Sequence, residues 1–446
     1  LASGASQTGF GRTGTVDWQT GSIKTATFTA ANGEGYFANT GGGAFTMNLP
    51  AGSAGAIVSV QDYNNTFDTH ALTVAPNGSE KINGGAAGAS TSLNTQGQGV
   101  TLVYIDGTIG WRSVQSNEFD KIGESFMAAT GGTVTTCGDF KIHTFTGPGT
   151  FCVSAISSST PANNIVDYVV VAGGGGARTY GGGGGAGGFR YYANTSTNSQ
   201  TGAPAAPINN FPSGTAITAT VTAFPITVGA GGAGPSSLPG NADSGNPSTF
   251  STVTSAGGGG GGKYGEPSGT AGSAGGSGGS GGLAGPGSQT GGAGGAGNTP
   301  PVSPAQGFAG GSSGKASPGT TTGYGGSGGG GGALAVGVSV PPTTFNSAGG
   351  NGGAGAGVKG FGSSGEVSSC VSYFSGGGGG TYGLTPSPGA SGTGGLGGGG
   401  DGKTATGSCT NANGTANTGG GAAGSVCNSA GQSGGSGIVI IRYKFQ

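Results

Sequence analysis

Residues 166–176 read Val166-Asp167-Tyr168-Val169-Val170-Val171-Ala172-Gly173-Gly174-Gly175-Gly176, and five more glycines follow at Gly181–Gly185. A β-branched run that passes directly into unbroken glycine sets the reading of the whole chain. Of 115 glycines, 26 lie in residues 1–172 and 89 in residues 173–446. The enriched half is built of discrete runs, among them Gly257–Gly262, Gly328–Gly332, Gly376–Gly380 and Gly397–Gly400. Glycine loses more backbone entropy on folding than any other residue. So much of it means either disorder or backbones packed closer than a Cβ allows.

Composition alone favours disorder. The bracketing segments favour order, because the glycine region opens after Val171 and closes on Ile438-Val439-Ile440-Ile441-Arg442-Tyr443. An ordered solution exists in the three-residue extended helix, which rises ~3.1 Å per residue and makes no internal hydrogen bonds. Its amide groups point outward and need partners. Side-by-side rods supply those partners, and inner positions then accept only glycine. A six-residue run would span about 19 Å. The expected architecture is a slab of polyglycine II rods joined by inserts at both ends. No strict Gly-X-Y period persists, which excludes collagen.

The rest of the chain reads as β structure. Strand patterns fall at Thr15–Gln19, Thr25–Ala30, Gly35–Asn39, Ala44–Leu49, Ala56–Tyr63, Ala71–Ala75, Val100–Asp106 and Gly110–Val114. Several alternate with period two, which buries one face and wets the other. Short strands at regular spacing predict a sandwich. A hairpin is expected over 138–154, turning at Gly147-Pro148-Gly149, and a short helix near Phe119–Ala129. Further strands are expected at Asp167–Val171, Ala219–Val228 and Gly437–Phe445, together making one small sheet from which the rods spring.

The fold expected is therefore all-β plus polyglycine II, almost without α-helix: a β-sandwich followed by a small β-sheet carrying a packed bundle of polyglycine II helices. Residues 1–14 read as a linker from something upstream. Residues 15–116 form an antiparallel β-sandwich, 117–137 a connector, and 138–446 the glycine-rich domain closed by the strand at 437–445.

Chemistry-bearing patterns are few. Charged residues are 7% and the net charge is −1, so no basic surface for nucleic acid is expected. Apolar stretches are too short to span a membrane. Gly397–Thr404 fits a phosphate-loop pattern but lacks the flanking strand and helix. Gly275–Gly279 fits a nucleophile elbow, yet no histidine follows His143 to serve as base. No catalytic residue, metal site or cofactor is expected. Among five cysteines, Cys137 with Cys152 and Cys409 with Cys427 are candidate disulfides; inert thiols fit equally, and the odd count leaves one free.

The inserts between rods differ from one another, as loops of a recognition surface do on a rigid scaffold. Their aromatics are the candidate receptor contacts: Tyr192, Tyr264, Tyr324, Phe345, Phe361, Tyr373, Phe374 and Tyr382. A flat ring binds at low entropic cost.

Tyr168–Gly176, then Gly187-Gly188-Phe189-Arg190, and the closing Gly434–Tyr443 resemble the glycine-rich domains of phage tail-fibre adhesins, especially of marine and cyanobacterial phages. Phe145–Phe151 is similar to the hairpin that precedes such domains, and Thr101–Thr108 with Gly110-Trp111-Arg112 resembles the ending of small β domains of phage fibres. The resemblance implies a non-enzymatic, trimeric virion protein acting outside the host cell. It implies as partners a host surface glycan or outer-membrane protein and other fibre or baseplate proteins. The alternative is a structural filament, decoration or ice-binding polyglycine protein.

Overall fold

The computed structural model describes residues 16–114, 126–157, 161–193, 214–234, 240–265, 268–285, 290–315, 325–341, 348–368, 371–382, 390–403, 412–426 and 431–445. It is all-β; the one helical piece among these residues is a 3-10 turn at Pro161–Asn164. The chain forms two compact units, Leu1–Ser125 with Ser157–Pro161, and Phe126–Ile156 with Ala162–Gln446.

The first unit holds β1 (Asp17–Trp18), β2 (Phe28–Thr29), β3 (Glu34–Ala38), β4 (Phe45–Asn48), β5 (Ile57–Asp62), β6 (Leu72–Ala75), β7 (Thr91–Leu93), β8 (Gly99–Tyr104) and β9 (Trp111–Ser113). They form two sheets, β1-β3-β5-β8-β9 and β2-β4-β6-β7. The expected two-sheet core is present, with Val58, Met47, Leu72, Leu93 and Trp111 all buried in it. The expected antiparallel pairing is corrected. Strands β1, β3 and β5 pair in parallel, as do β2, β4 and β6. Successive strands alternate between the two sheets, so each strand of one sheet is the crossover that parallel pairing in the other requires. Only the end of the unit returns on itself, through the antiparallel pairs β6–β7, β5–β8 and β8–β9. Period-two alternation marks the buried face of a strand and carries no information about the direction of its neighbour.

The second unit begins with β10 (Ala128–Thr130), β11 (Thr133–Cys137), β12 (Phe140–Phe145) and β13 (Gly149–Ala155), followed by β14 (Ile165–Val171), β15 (Phe189–Tyr192), β16 (Ile217–Thr218), β17 (Ala223–Thr227), β18 (Ser248–Phe250) and β19 (Val253–Ser255). Late in the chain come β20 (Ala356–Val358), β21 (Glu366–Ser368), β22 (Val371–Phe374) and β23 (Ile438–Lys444). The single expected sheet is in fact three: β11-β12-β23-β14-β15, β10-β13-β17-β18-β19, and β20-β22-β21. The expected hairpin is also corrected, because β12 and β13 join different sheets and the chain arches between them. Ala128 and Ala129, placed in the expected helix, are strand; positions 119–125 of that helix lie outside the described residues.

The sheet carrying β14 and β23 is buried on both faces. Tyr168, Val170, Val439, Ile441 and Tyr443 pack against Phe151, Ile226 and Phe250. On the other face Val169, Val171, Ile438 and Ile440 pack against Val358, Phe361 and Phe374. Burial on both faces explains why these strands read as continuous apolar runs. Each carries one buried charge, and the two meet: Arg442 Nη2 lies 2.6 Å from Asp167 Oδ2, both side chains 2% exposed. Arg442 also donates to the Gly360 carbonyl and lies over the rings of Phe140 and Phe361.

The glycine runs form a hexagonal bundle of polyglycine II rods. The central rod is Gly182–Gly188. The amides of Gly182, Gly185 and Gly188 donate to Gly262, Gly259 and Ala256 on one neighbour. Those of Gly184 and Gly187 donate to Ala422 and Gly419 on a second, and Ala186 donates to Gly331 on a third. The carbonyls of this rod face three more neighbours. Gly183 and Ala186 accept from Ser280 and Ser277, Gly184 from Gly378, and Gly185 from Gly175. Repetition every three residues is the signature of the polyglycine helix. The surrounding rods bond one another in turn, through Gly258 to Gly173, Gly259 to Ser277, Gly331 to Gly278, Gly330 to Gly378, Gly421 to Gly376 and Ala422 to Gly175. The ring closes, so the expected packed bundle is compact and hexagonal, not a flat slab. A Cβ on Gly184 would lie 2.1 Å from the Gly175 oxygen, and one on Gly185 2.3 Å from that of Ser277. Rods at the periphery carry a side chain outward at every third position, as Ala293 and Ala296, Asn351 and Ala354, or Thr393 and Leu396 do.

Candidate functional site

The rods run alternately away from the sheets and back. Gly173 leaves directly from β14, and Gly188 returns directly into β15. The described ends of successive rods therefore fall alternately at the sheet end of the bundle and at the far end. Sheet-end turns include 274–276 and 396–398. The far end begins with the turn Arg178-Thr179-Tyr180-Gly181.

This alternation divides the candidate aromatics. Tyr192, Phe361, Tyr373 and Phe374 are at the sheet end. Phe361 and Phe374 are fully buried in the core, and Phe361 packs edge-on to Tyr191 with centroids 5.9 Å apart. Tyr192 stacks on Tyr168 at 5.9 Å. The Tyr168 hydroxyl donates to the Thr215 carbonyl, and burial pushes its pKa up to about 12. Tyr373 lies in β22, opposite Gly357 and Glu366. The core rings are corrected from receptor contacts to packing residues: Phe374 lies in β22 and Phe361 in the β20–β21 connection, and both are buried against the sheet of β14 and β23.

Tyr264 and Tyr382 are at the far end. Tyr264 is half-buried, and Tyr382 is 7% exposed. Tyr324 and Phe345 lie outside the described residues. So do Cys409 and Cys427, while Cys137 and Cys152 are exposed free thiols on strands of different sheets. Ser277, the serine of the elbow-like pattern, is buried inside a rod.

Three rods meet around the first far-end turn. The Tyr180 amide donates to the Ser425 carbonyl at 2.7 Å, and Thr179 and Lys403 both bridge to Ser425. The Gly182 amide donates to Gly262, which places this turn beside Lys263 and Tyr264. Tyr180 has φ 55°, a left-handed conformation uncommon for a bulky residue. The Arg178 guanidinium donates to the Gly240 carbonyl and ties the turn to the adjoining rod. Lys263 is anchored through its amide, which donates to Thr270 Oγ1 at 2.7 Å.

A row of rods continues from there. Ser268 bridges to Thr290, and the Ser313 amide donates to Gly292. Between the rods holding Thr290, Ala293, Ser312, Ser339 and Pro341 lies an open groove of about 410 Å³. Lys315 follows Gly314, whose carbonyl oxygen lies against Gly291 of the groove wall. Arg178, Thr179, Tyr180, Lys263 and Lys315 were not singled out by sequence reasoning, and Lys403 entered it only within the phosphate-loop pattern Gly397–Thr404. The available signal was parity: counting connections from β14 assigns each insert to an end.

Among the described residues no cluster of three His, Cys, Asp or Glu side chains could hold a metal ion, and no helix is long and apolar enough to cross a membrane. No curated protein is significantly similar to the chain. Residues 146–444, well over half of the chain, match the family model of the glycine-rich domain, a span that takes in β13 to β23 and the rod bundle; the chain belongs to the glycine-rich domain family.

Proposed function

We propose that the protein is a phage fibre adhesin that recognises a host cell-surface receptor through the far-end connections of its polyglycine bundle. The observation that carries this reading is the segregation of connections. The described sheet-end segments include the core rings Phe361 and Phe374, while the described far-end residues, among them Arg178, Tyr180, Lys263, Tyr264, Lys315 and Lys403, are dissimilar rings and charges on a lattice whose backbone groups are satisfied by neighbours. Such a surface is pre-organised, and pre-organisation lowers the entropic cost of binding. The half-buried Tyr180 and Tyr264, with Lys263 and Lys403 beside them, supply rings and charges of the kind that recognition uses. The left-handed Tyr180 adds weight, since backbone strain concentrates at functional sites. The resemblance to phage adhesins supplies the host surface as partner.

The test is saturable binding of the fluorescent full-length chain to a panel of aquatic bacteria. Beside it run a far-end variant, Lys263→Ala with Tyr264→Ala, and a sheet-end variant, Tyr373→Ala. The expected result is binding to a few strains that only the far-end variant weakens, both variants remaining folded. Absence of binding to every strain contradicts the reading and favours the structural alternative.

A further inference from the structure

We infer that the far end takes an anionic, hydroxyl-rich saccharide, laid along the row from Lys263 to Lys315 with a sugar ring seated in the groove between Thr290, Ala293, Ser312, Ser339 and Pro341. The inference rests on the adhesin reading and specifies its ligand.

Charge carries the first part. Lys263, Lys315 and Lys403 are half-buried at this end, and none forms an ion pair among the described residues. The described carboxylate nearest in sequence to Lys403 is Asp401, and it accepts the Gly394 amide at 2.9 Å. Ammonium groups on a fixed lattice, with no carboxylate partner among the described residues, favour a negatively charged ligand.

Shape carries the second part. The groove volume of about 410 Å³ falls within the usual range for small-ligand sites. Its walls are glycine, alanine, serine and threonine, with Val340 and Pro341 at one edge. Wall hydroxyls already have partners: Ser312 Oγ accepts the Gly294 amide, and Ser339 Oγ accepts the Ser312 amide. Both oxygens keep a hydroxyl hydrogen to donate. A mostly apolar lining of short side chains with hydroxyls set among them matches a pyranose, which has hydroxyls at its rim and C–H groups on its faces. Backbone hydrogen bonds run along the row from Lys263 to Ser313, two residues before Lys315: Thr270 donates to Lys263, Gly269 to Thr290 and Ser313 to Gly292. An extended chain of sugars can therefore touch both lysines.

The experiment measures binding of the full-length protein to three polymers at two salt concentrations. Polygalacturonate supplies carboxylate, polyglycerol phosphate supplies phosphate, and dextran is neutral. Variants are Lys263→Ala with Lys315→Ala, the same pair changed to Arg, and Ala293→Trp, whose bulk fills the groove from an exposed position. The expected result is salt-sensitive binding to at least one polyanion and none to dextran. The alanine pair weakens it about tenfold, as the loss of two partly exposed charge contacts implies. The arginine pair retains it, and Ala293→Trp abolishes it. Which polyanion binds tells carboxylate from phosphate. Equal binding to dextran, no binding to any of the three polymers, or full binding by the alanine pair overturns the inference. The adhesin reading survives each of these if the cell panel still binds the protein, and falls on its own if the panel does not.

Discussion

At the residue scale, glycine in this molecule is a measure of position. Gly184 sits in the central rod, where a Cβ would meet the Gly175 carbonyl oxygen at 2.1 Å. Neither backbone can move without disturbing its other neighbours. Gly184→Ala is expected to lower stability by about 1–3 kcal/mol or more, as overpacking does. Gly107→Ala, where nothing lies within 4 Å, should change it by no more than about 0.5 kcal/mol. Thermal or denaturant unfolding of the two variants checks this. His143 offers a second test. It is fully buried, stacks on Tyr443, and its Nδ1 bonds the Gly131 carbonyl. Burial, helped by the Lys141 charge, pushes its pKa below the usual histidine range, against the opposing effect of the Gly131 bond. The unfolded imidazole protonates near pH ~6.5, and the folded one only at lower pH. Stability attached to this group is therefore complete above that pH and lost as pH falls below it. The unfolding midpoint of the wild type should drop more steeply from pH 7.5 to 5 than that of His143→Phe.

At the element scale, the strands themselves were legible and their partners were not. Val166–Val171 and Ile438–Tyr443 announce strands buried on both faces, and they are the paired centre of one sheet. The β12 and β13 segments were equally clear, yet Gly147-Pro148-Gly149 turns the chain from one sheet to another. A glycine–proline turn fixes a local reversal and leaves open whether the strands bond or face each other. β7 was missed because Thr91-Ser92-Leu93 is short and carries one buried apolar side chain. The Asp167–Arg442 pair ties β14 to β23 across the register Asp167↔Arg442. Removing one member of a buried pair leaves an uncompensated charge. Arg442→Met is expected to cost about 3–5 kcal/mol, and Asp167→Leu with Arg442→Met to cost less than Arg442→Met alone. A double-mutant unfolding cycle measures the coupling.

At the scale of the whole molecule, a polar backbone lattice takes the place of a hydrophobic core in the rod bundle. The longest glycine runs foretold it: Gly181–Gly185 contributes to the central rod, and the runs at 173, 257, 328 and 376 contribute to rods of the ring around it. Composition could not tell a slab from a hexagonal bundle, because the choice depends on which inserts bring which rods together. The candidate site was legible in part. Tyr264 and Tyr382 were named and lie at the far end, while Phe361 and Phe374 were named and are core. Counting connections from β14 would have separated them. The most direct test of the account is amide hydrogen exchange, followed by mass spectrometry on peptides covering 173–188 and 437–445. The account predicts that amides of the central rod exchange as slowly as those of β23, since both open only with the whole unit. Exchange of the glycine peptides within seconds, while β23 stays protected, would contradict it.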